Sequence, residues 1–379
     1  MILEVDSIFK TKRHPVALVL RGVGVLSLSS MLLFSCETPL QRVSSDIVHY
    51  GETQGTTYMV KYHGSDSIPQ AAIDSVLETV DVEFNLWRPE SRINAINAFD
   101  RSDSLYQFVD HSRLWSSIWA QTLDLHAASQ GAFDPTVQPL VELWGFGLTK
   151  RAHVTDEDVQ ALLPHVGLTF ERIDVNEVTA EKQYEFTIVR KRDSLTRIDF
   201  NGIAQGLTVD LLAEMLQSRG AFDFMVEVGG EVRCGGKRSD GLPWRIAIDR
   251  PIASNDGLDR REMQAVVGIS DAAICTSGNY RKFYEEDGIK RSHTISPFNG
   301  YPVQHSLLSA TVHAVNASTA DALATACMVW GPEEGQRFIE AYSLANPFER
   351  VEAYFISDEG RGEWRVWQSA GWQELEGNQ

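Results

Sequence analysis

Strand-like runs in this chain follow one another instead of alternating with helices, an order that argues against a βαβ sheet. Residues 47–64, "IVHYGETQGTTYMVKYHG", form two β-prone runs around a glycine-containing turn. Tyr184 to Asp199 is strand-like, and "FMVEVGGEVRCGG" (224–236) and "WRIAIDRP" (244–251) are strands punctuated by glycine. The tail "VEAYFISDEGRGEWRVWQS" (351–369) predicts a hairpin around Asp358–Gly360. Between these runs, Val76, Leu77, Val80 and Phe84 recur at helical spacing, with Pro89 as the stop. A second helix is predicted over Ser104–Ser129, with Phe108, Trp115, Ile118, Trp119 and Leu123 inward and Gly131 ending it. A third covers Leu207–Ser218. Adjacent strands with a few long helices predict an α+β fold in one compact domain, and 43% hydrophobic residues suffice for its core.

The first residues stand apart from that domain. Lys10, Lys12 and Arg13 precede the apolar segment "VALVLRGVGVLSLSSMLLF", which Arg21 interrupts. The stretch left, Gly22–Phe34, has the length of a signal-peptide core and is short for a membrane span. Leu33-Phe34-Ser35-Cys36 resembles a bacterial lipobox, in which the cysteine is lipidated. The expected organisation is a leader over 1–35, a tether over 36–48 and a folded domain over 49–375. An uncleaved single-span anchor is the alternative; either way the body is exported and tethered. The other cysteines, Cys234, Cys275 and Cys327, are odd in number and widely spaced, so they suggest neither a disulfide framework nor a zinc site. The formal net charge of -18 argues against a nucleic-acid partner. It also obliges any phosphorylated ligand to meet a local cation, a metal or backbone N–H groups.

Five stretches carry candidate chemistry. In "STADALATA" (318–326), Asp321 and Thr325 share one helix face, with Ser318 or Thr319 as cap and Asp321 in the first turn. A carboxylate and a hydroxyl are hard oxygens suited to Mg²⁺; the bland reading is a capped core helix whose threonine bonds its own backbone. "DFNGIAQGLTVD" (199–210) joins strand to helix through two glycines, where amides can face a phosphate, or where Asp199 merely caps a turn. The Gly pairs of 227–236 mark a bulge or a close backbone approach. In residues 273–300, Thr276, Ser277 and Gly278 offer hydroxyls and a turn, and His293 is either a general base or structural. "GAFDPTVQPLVELWGFG" (131–147) places Trp144 and Phe146 between glycines, as pocket lining or as core.

Taken together and in order, with "GTTY" (55–58), "WRPESRINAIN" (87–97), "TSGNY" (276–280) and "HTISP" (293–297), these pieces resemble the ApbE family of FAD:protein FMN transferases. The resemblance runs from about Gly55 to Trp372. It implies a T-fold-like α+β domain of antiparallel sheets and packed helices that takes FAD as substrate with Mg²⁺ as cofactor. Such enzymes attach FMN through a phosphoester to a Thr of a target protein and release AMP. Typical targets are exported subunits of membrane redox complexes, such as the sodium-pumping NADH:quinone oxidoreductase, and the enzymes are often periplasm-facing lipoproteins. By the same resemblance, Asp321, Thr325 and the Gly202 carbonyl are the metal ligands and His293 is the base. The FAD contacts are Gln54, Trp87, Trp144, Gly145, Phe146, Asp199, Gln205 and Ile295. Three positions depart from the family pattern: Gln205 stands for a common Lys, Ser296 for an Asp, and Gln54 for a Met. A FAD pyrophosphatase and a non-catalytic FAD-binding protein are the competing expectations.

Overall fold

The computed structural model describes residues 45–377 apart from 101–103, 111, 149–152, 170–171, 181–183, 253–261, 281–282 and 287. The predicted leader, the Cys36 lipidation site and most of the tether lie outside the described residues. The hairpin of β1 (Ile47–Thr53) and β2 (Thr56–His63) turns through Gln54 and Gly55, both left-handed, with φ of 50° and 72°. That pair of positive φ angles suits a two-residue hairpin. Next come α1 (Gln70–Phe84), α2 (Arg92–Ala98), β3 (Ser104–Val109), α3 (Leu114–Ala128), α4 (Gln138–Leu143) and α5 (Asp156–Leu162). The middle holds β4 (Ile173–Ala180), β5 (Tyr184–Lys191), α6 (Ala204–Ser218), β6 (Asp223–Val228) and β7 (Glu231–Gly235). It continues with β8 (Trp244–Asp249), β9 (Met263–Ile269), β10 (Ala272–Gly278), β11 (Phe283–Glu286) and β12 (Ile289–Ser292). Last are β13 (Leu307–Ala314), α7 (Ala317–Trp330), α8 (Pro332–Ala345), β14 (Glu352–Gly360), β15 (Glu363–Gln368) and α9 (Trp372–Gly377).

Eight strands make one sheet in the order β1-β2-β6-β7-β10-β13-β14-β15, and neighbouring strands in it pair antiparallel. This is the α+β class expected from the adjacent strands. Alternation along each strand splits the core in two. Tyr58, Val60, Phe224, Val226, Cys275, Ala310 and Val312 face a helical layer that includes α1, α6 and α7. Val232, Cys234, Ile274 and Ile356 face the opposite way, against the β8–β9 ribbon and Trp372 of α9. A third small cluster joins Leu140, Trp144, Val159, Val166 and Ile295.

Several element boundaries need correction. The helix predicted over Ser104–Ser129 is a strand followed by a helix: β3 pairs with β5 through residue 109, and α3 starts at Leu114. Asp110 makes the division by accepting the Trp115 N–H at 2.9 Å, which favours a fresh helical start over continuation. The inward set survives, with Trp115, Ile118 and Trp119 buried and Leu123 packed against them. The helix predicted to stop at Pro89 already ends at Phe84.

Helix α7 explains its own alanine content. Ala317, Ala320, Ala322, Ala324 and Ala326 are all fully buried, because this helix is packed by α6, α8 and the sheet together. At Gly206 of α6, a Cβ would collide with the Ala317 carbonyl, so the two helices touch backbone to backbone.

Candidate active site

The contact between α6 and α7 is held by two carboxylates that cross it in opposite directions. Asp210 of α6 accepts the Ala317 and Ser318 N–H groups, each at 2.9 Å, and the Ser318 hydroxyl at 2.8 Å. Arg233 of β7 reaches the same carboxylate at 2.7 Å. Asp321 of α7 in turn accepts the Gly206 N–H at 3.1 Å, in the first turn of α6. Each helix start thus receives a negative charge where its unpaired N–H groups favour one. The expected cap by Ser318 or Thr319 is therefore wrong. The boundary residue Asn316 makes no side-chain cap, α7 begins at Ala317, and Asp321 falls beyond its first turn. A carboxylate remote in sequence has replaced the local cap.

Two of the predicted metal ligands, Gly202 and Thr325, touch here, and Asp321 lies one helical turn before Thr325. A Cβ at Gly202 would lie 3.1 Å from Thr325 Oγ1, so the 199–202 turn touches α7 directly. Thr325 Oγ1 pairs with Ser277 Oγ of β10 at 3.3 Å. A carboxylate, a hydroxyl and a main-chain carbonyl are the hard donors Mg²⁺ prefers, with its remaining positions left to phosphate and water. The donor set fits that ion. Among the described residues, no three His, Cys, Asp or Glu side chains converge as a metal cluster. A site here would accordingly rest on mixed oxygen donors rather than on a cage of ionised groups.

Burial shapes the charges. Asp321 is only 4% exposed, and burial pushes its pKa up to about 7; the Gly206 N–H opposes the rise and the Asp210 charge adds to it. Glu231, which leads β7, is driven well above the usual carboxylate range by burial and then by the neighbouring charge of Asp321. The Cys275 thiol, packed at 3.3 Å against the Ala317 carbonyl, is raised by burial and by the charges of Asp321, Glu231 and Asp210. Asp199, at the entrance to the loop, is lifted to about 6 by loss of water; the Asn201 N–H counteracts this and Glu142 reinforces it.

The remaining predicted contacts fall into groups. Gln54 reaches α6, donating Nε2 to Thr208 Oγ1 at 2.8 Å, while its buried Oε1 has no hydrogen-bond partner. Gln205 approaches the β6–β7 turn, where a Cβ at Gly229 would lie 2.9 Å from its Nε2. Asp199 ties this region to the 131–147 segment by donating its N–H to the Pro135 carbonyl at 2.8 Å. On that segment Phe146 stacks on Tyr284 at 5.3 Å and meets the His293 ring edge-on at 6.3 Å. Ile295 is buried beside Trp144. The Trp144 ring is itself core: it is 2% exposed and donates Nε1 to the Gly300 carbonyl at 2.8 Å. What residues 144–146 can present to a planar ligand is the Gly145 backbone and the half-buried Phe146 ring, not the indole face. Trp87 lies on the α1–α2 turn, 55% exposed, with its N–H on Asn85 Oδ1. Ser296, which replaces the family's acid, is buried in a turn and accepts the Phe298 N–H at 3.3 Å. Sequence reasoning missed Asp210 and Glu231. Their only signal was polarity inside otherwise apolar runs, which periodicity assigns to solvent.

The fold is of the antiparallel α+β class, with oxygen donors gathered at a helix start and aromatic and amide side chains beside them. The comparisons make it specific: the ApbE family model matches residues 54–348, and the chain belongs to that family. FAD:protein FMN transferase of Vibrio cholerae is 35% identical over 84% of this chain and 91% of its own. The protein of the same name from Haemophilus influenzae is 32% identical over 85% and 90%. Among solved structures, flavinyl transferase ApbE of Pseudomonas stutzeri superposes with a TM-score of 0.74 at 30% identity, covering 88% of this chain and 98% of that one. The Vibrio cholerae flavin transferase ApbE gives 0.71 at 32% identity, with 88% and 99% covered.

Proposed function

We propose that this chain transfers the FMN half of FAD to a threonine hydroxyl of another protein, forming a phosphoester and releasing AMP. The observation that carries the reading is the contact of Gly202 with Thr325, one helical turn from an Asp321 that bonds the α6 start, in a member of this family. A Mg²⁺ ion held by the Asp321 carboxylate, the Thr325 hydroxyl and the Gly202 carbonyl would neutralise the pyrophosphate and the departing AMP. Gln54 and Gln205 supply neutral hydrogen bonds to the nucleotide, and Asp199 bonds a ring edge or ribose. Phe146 and the Gly145 backbone line the planar ring. His293 removes the threonine proton as that oxygen attacks the FMN-side phosphorus. The bond between this phosphorus and the bridging oxygen breaks, and AMP leaves with that oxygen. Positioning and charge stabilisation supply most of the rate in such a displacement.

The test incubates the chain with FAD, Mg²⁺ and a threonine-containing acceptor domain, followed by mass spectrometry. One FMN mass on one threonine, with an equal amount of AMP, is expected. FMN and AMP without acceptor modification would replace the proposal with a pyrophosphatase; FAD binding without cleavage would replace it with a carrier.

We further propose that the protein is exported and lipid-anchored through Cys36, facing the periplasm, where its acceptor is an exported subunit of a membrane redox complex. The support is the cationic, apolar leader and its lipobox-like end. No helix among the described residues is long and apolar enough to cross a membrane. Incorporation of labelled palmitate that disappears in C36A is expected; labelled C36A would sink the anchor.

A further inference from the structure

Glu231 is a buried carboxylate in the helix-facing layer. It is 7% exposed, and its Oε2 has no hydrogen-bond partner. Alternation along β7 puts Glu231 on the same face as Arg233, toward α6. Arg233 is the cation this carboxylate would be expected to find, yet its guanidinium is engaged by Asp210 at 2.7 Å. The other charges that act on Glu231 are those of Asp321 and Glu227, both negative. A carboxylate taken out of water without a counter-charge is costly, and a second buried carboxylate beside it raises the cost. A free acceptor oxygen, nine-tenths buried and next to the Asp321 charge, is the arrangement a missing cation would resolve. The glycine turn packs closely against it: a Cβ at Gly229 would lie 3.4 Å from Glu231 Oε2 and 2.9 Å from Gln205 Nε2, which brings the Glu231 carboxylate beside the first turn of α6, where Asp321 accepts the Gly206 N–H. The Gly229–Gly230 pair turns here with φ of 63° and 110°, and a Cβ at Gly230 would meet nothing within 4 Å.

We propose that Glu231 is a further member of the divalent-cation site, its free carboxylate oxygen binding the ion of Asp321 and Thr325 directly or through one of that ion's water molecules. This inference rests on the metal reading given above. With two carboxylates, a hydroxyl and a carbonyl, the protein would balance the ion's two charges and leave phosphate and water to fill the remaining positions.

The test uses the full chain without flavin or acceptor, so that it reads binding and not turnover. Mn²⁺ binding followed by electron paramagnetic resonance, and Mg²⁺ binding followed by calorimetry, are compared for wild type, E231Q and E231D. E231Q is expected to weaken cation affinity by about 10–100-fold, the range found when groups supporting a metal site are removed. E231D, which keeps the charge, recovers part of that loss. Thermal melts separate this from a packing role. Without cation, E231Q should melt at or above the wild-type temperature, because it removes a repelled charge; with cation, its melting temperature should rise less. Wild-type affinity in E231Q overturns the inference while leaving the metal reading intact. A cation-free E231Q that melts well below wild type with unchanged affinity assigns Glu231 to structure instead. If wild type binds no cation, the metal reading fails and this inference fails with it.

Discussion

Replacing Asp210 with Asn keeps the shape of the side chain and removes the charge on which α7 begins. The carboxylate is 5% exposed and serves the Ala317 N–H, the Ser318 N–H, the Ser318 hydroxyl and Arg233. An amide nitrogen in place of either oxygen would point a donor at donors, and Arg233 would lose its counter-charge. Removing one partner of a buried ion pair costs about 3–5 kcal/mol. Unfolding entropy of about 2.1 cal/mol/K per residue, over roughly 330 residues, gives about 0.7 kcal/mol/K. D210N should therefore lower Tm by about 4–7 °C in differential scanning calorimetry. D240A offers the control: Asp240 pairs with Arg238 at 2.8 Å, but its side chain is 54% exposed, so a change below about 1 kcal/mol is expected. A double-mutant cycle with R233M should show strong coupling, since each single change strands the other partner. A D210N shift no larger than that of D240A would refute the view that this carboxylate organises the α6–α7 contact.

On the proposed metal reading, cation affinity should rise with pH up to about 7 and level beyond, because Mg²⁺ would displace the proton that burial keeps on Asp321; calorimetry across about pH 5–9 checks this, and a flat profile contradicts it. The same group binds more protons in the native state than its ordinary 3.8 allows, so the cation-free protein should lose stability between about pH 4 and pH 7. G206A, whose new methyl would strike the Ala317 carbonyl, should cost about 1–3 kcal/mol in a denaturant melt. H293A should slow flavin transfer about 10²–10⁴-fold while FAD affinity, measured by fluorescence, changes far less.

The α+β class was legible because strand propensity and turn chemistry are local: the first hairpin appears where those rules place it, and the tail hairpin forms with its turn at Arg361–Gly362, just past the expected Asp358–Gly360, which ends β14. The 104–129 error arose because Phe108 and Trp115 fit a helical stripe, and only pairing with β5, remote in sequence, makes 104–109 a strand. At the site, Asp321 and Thr325 were visible as a spacing and Gly202 through the resemblance. The cap on α7 was not visible: Asp210 lies more than a hundred residues from Ser318 and acts through the fold alone. Glu231 was hidden for a related reason. A strand that alternates Val232 and Cys234 with Glu231 and Arg233 reads as having one wet face, whereas α6 and α7 roof that face over.

Asp321 and Glu231 are buried carboxylates that repel one another wherever both are ionised. Whatever positive charge settles beside Asp321 relieves a tension built into the fold, and an ion present at a hundredfold its dissociation constant adds about 2.7 kcal/mol to resistance against unfolding. On the proposed metal reading, molecules that hold Mg²⁺ should therefore outlast those without it wherever proteases sample the unfolded chain, so that longevity itself reports readiness for work.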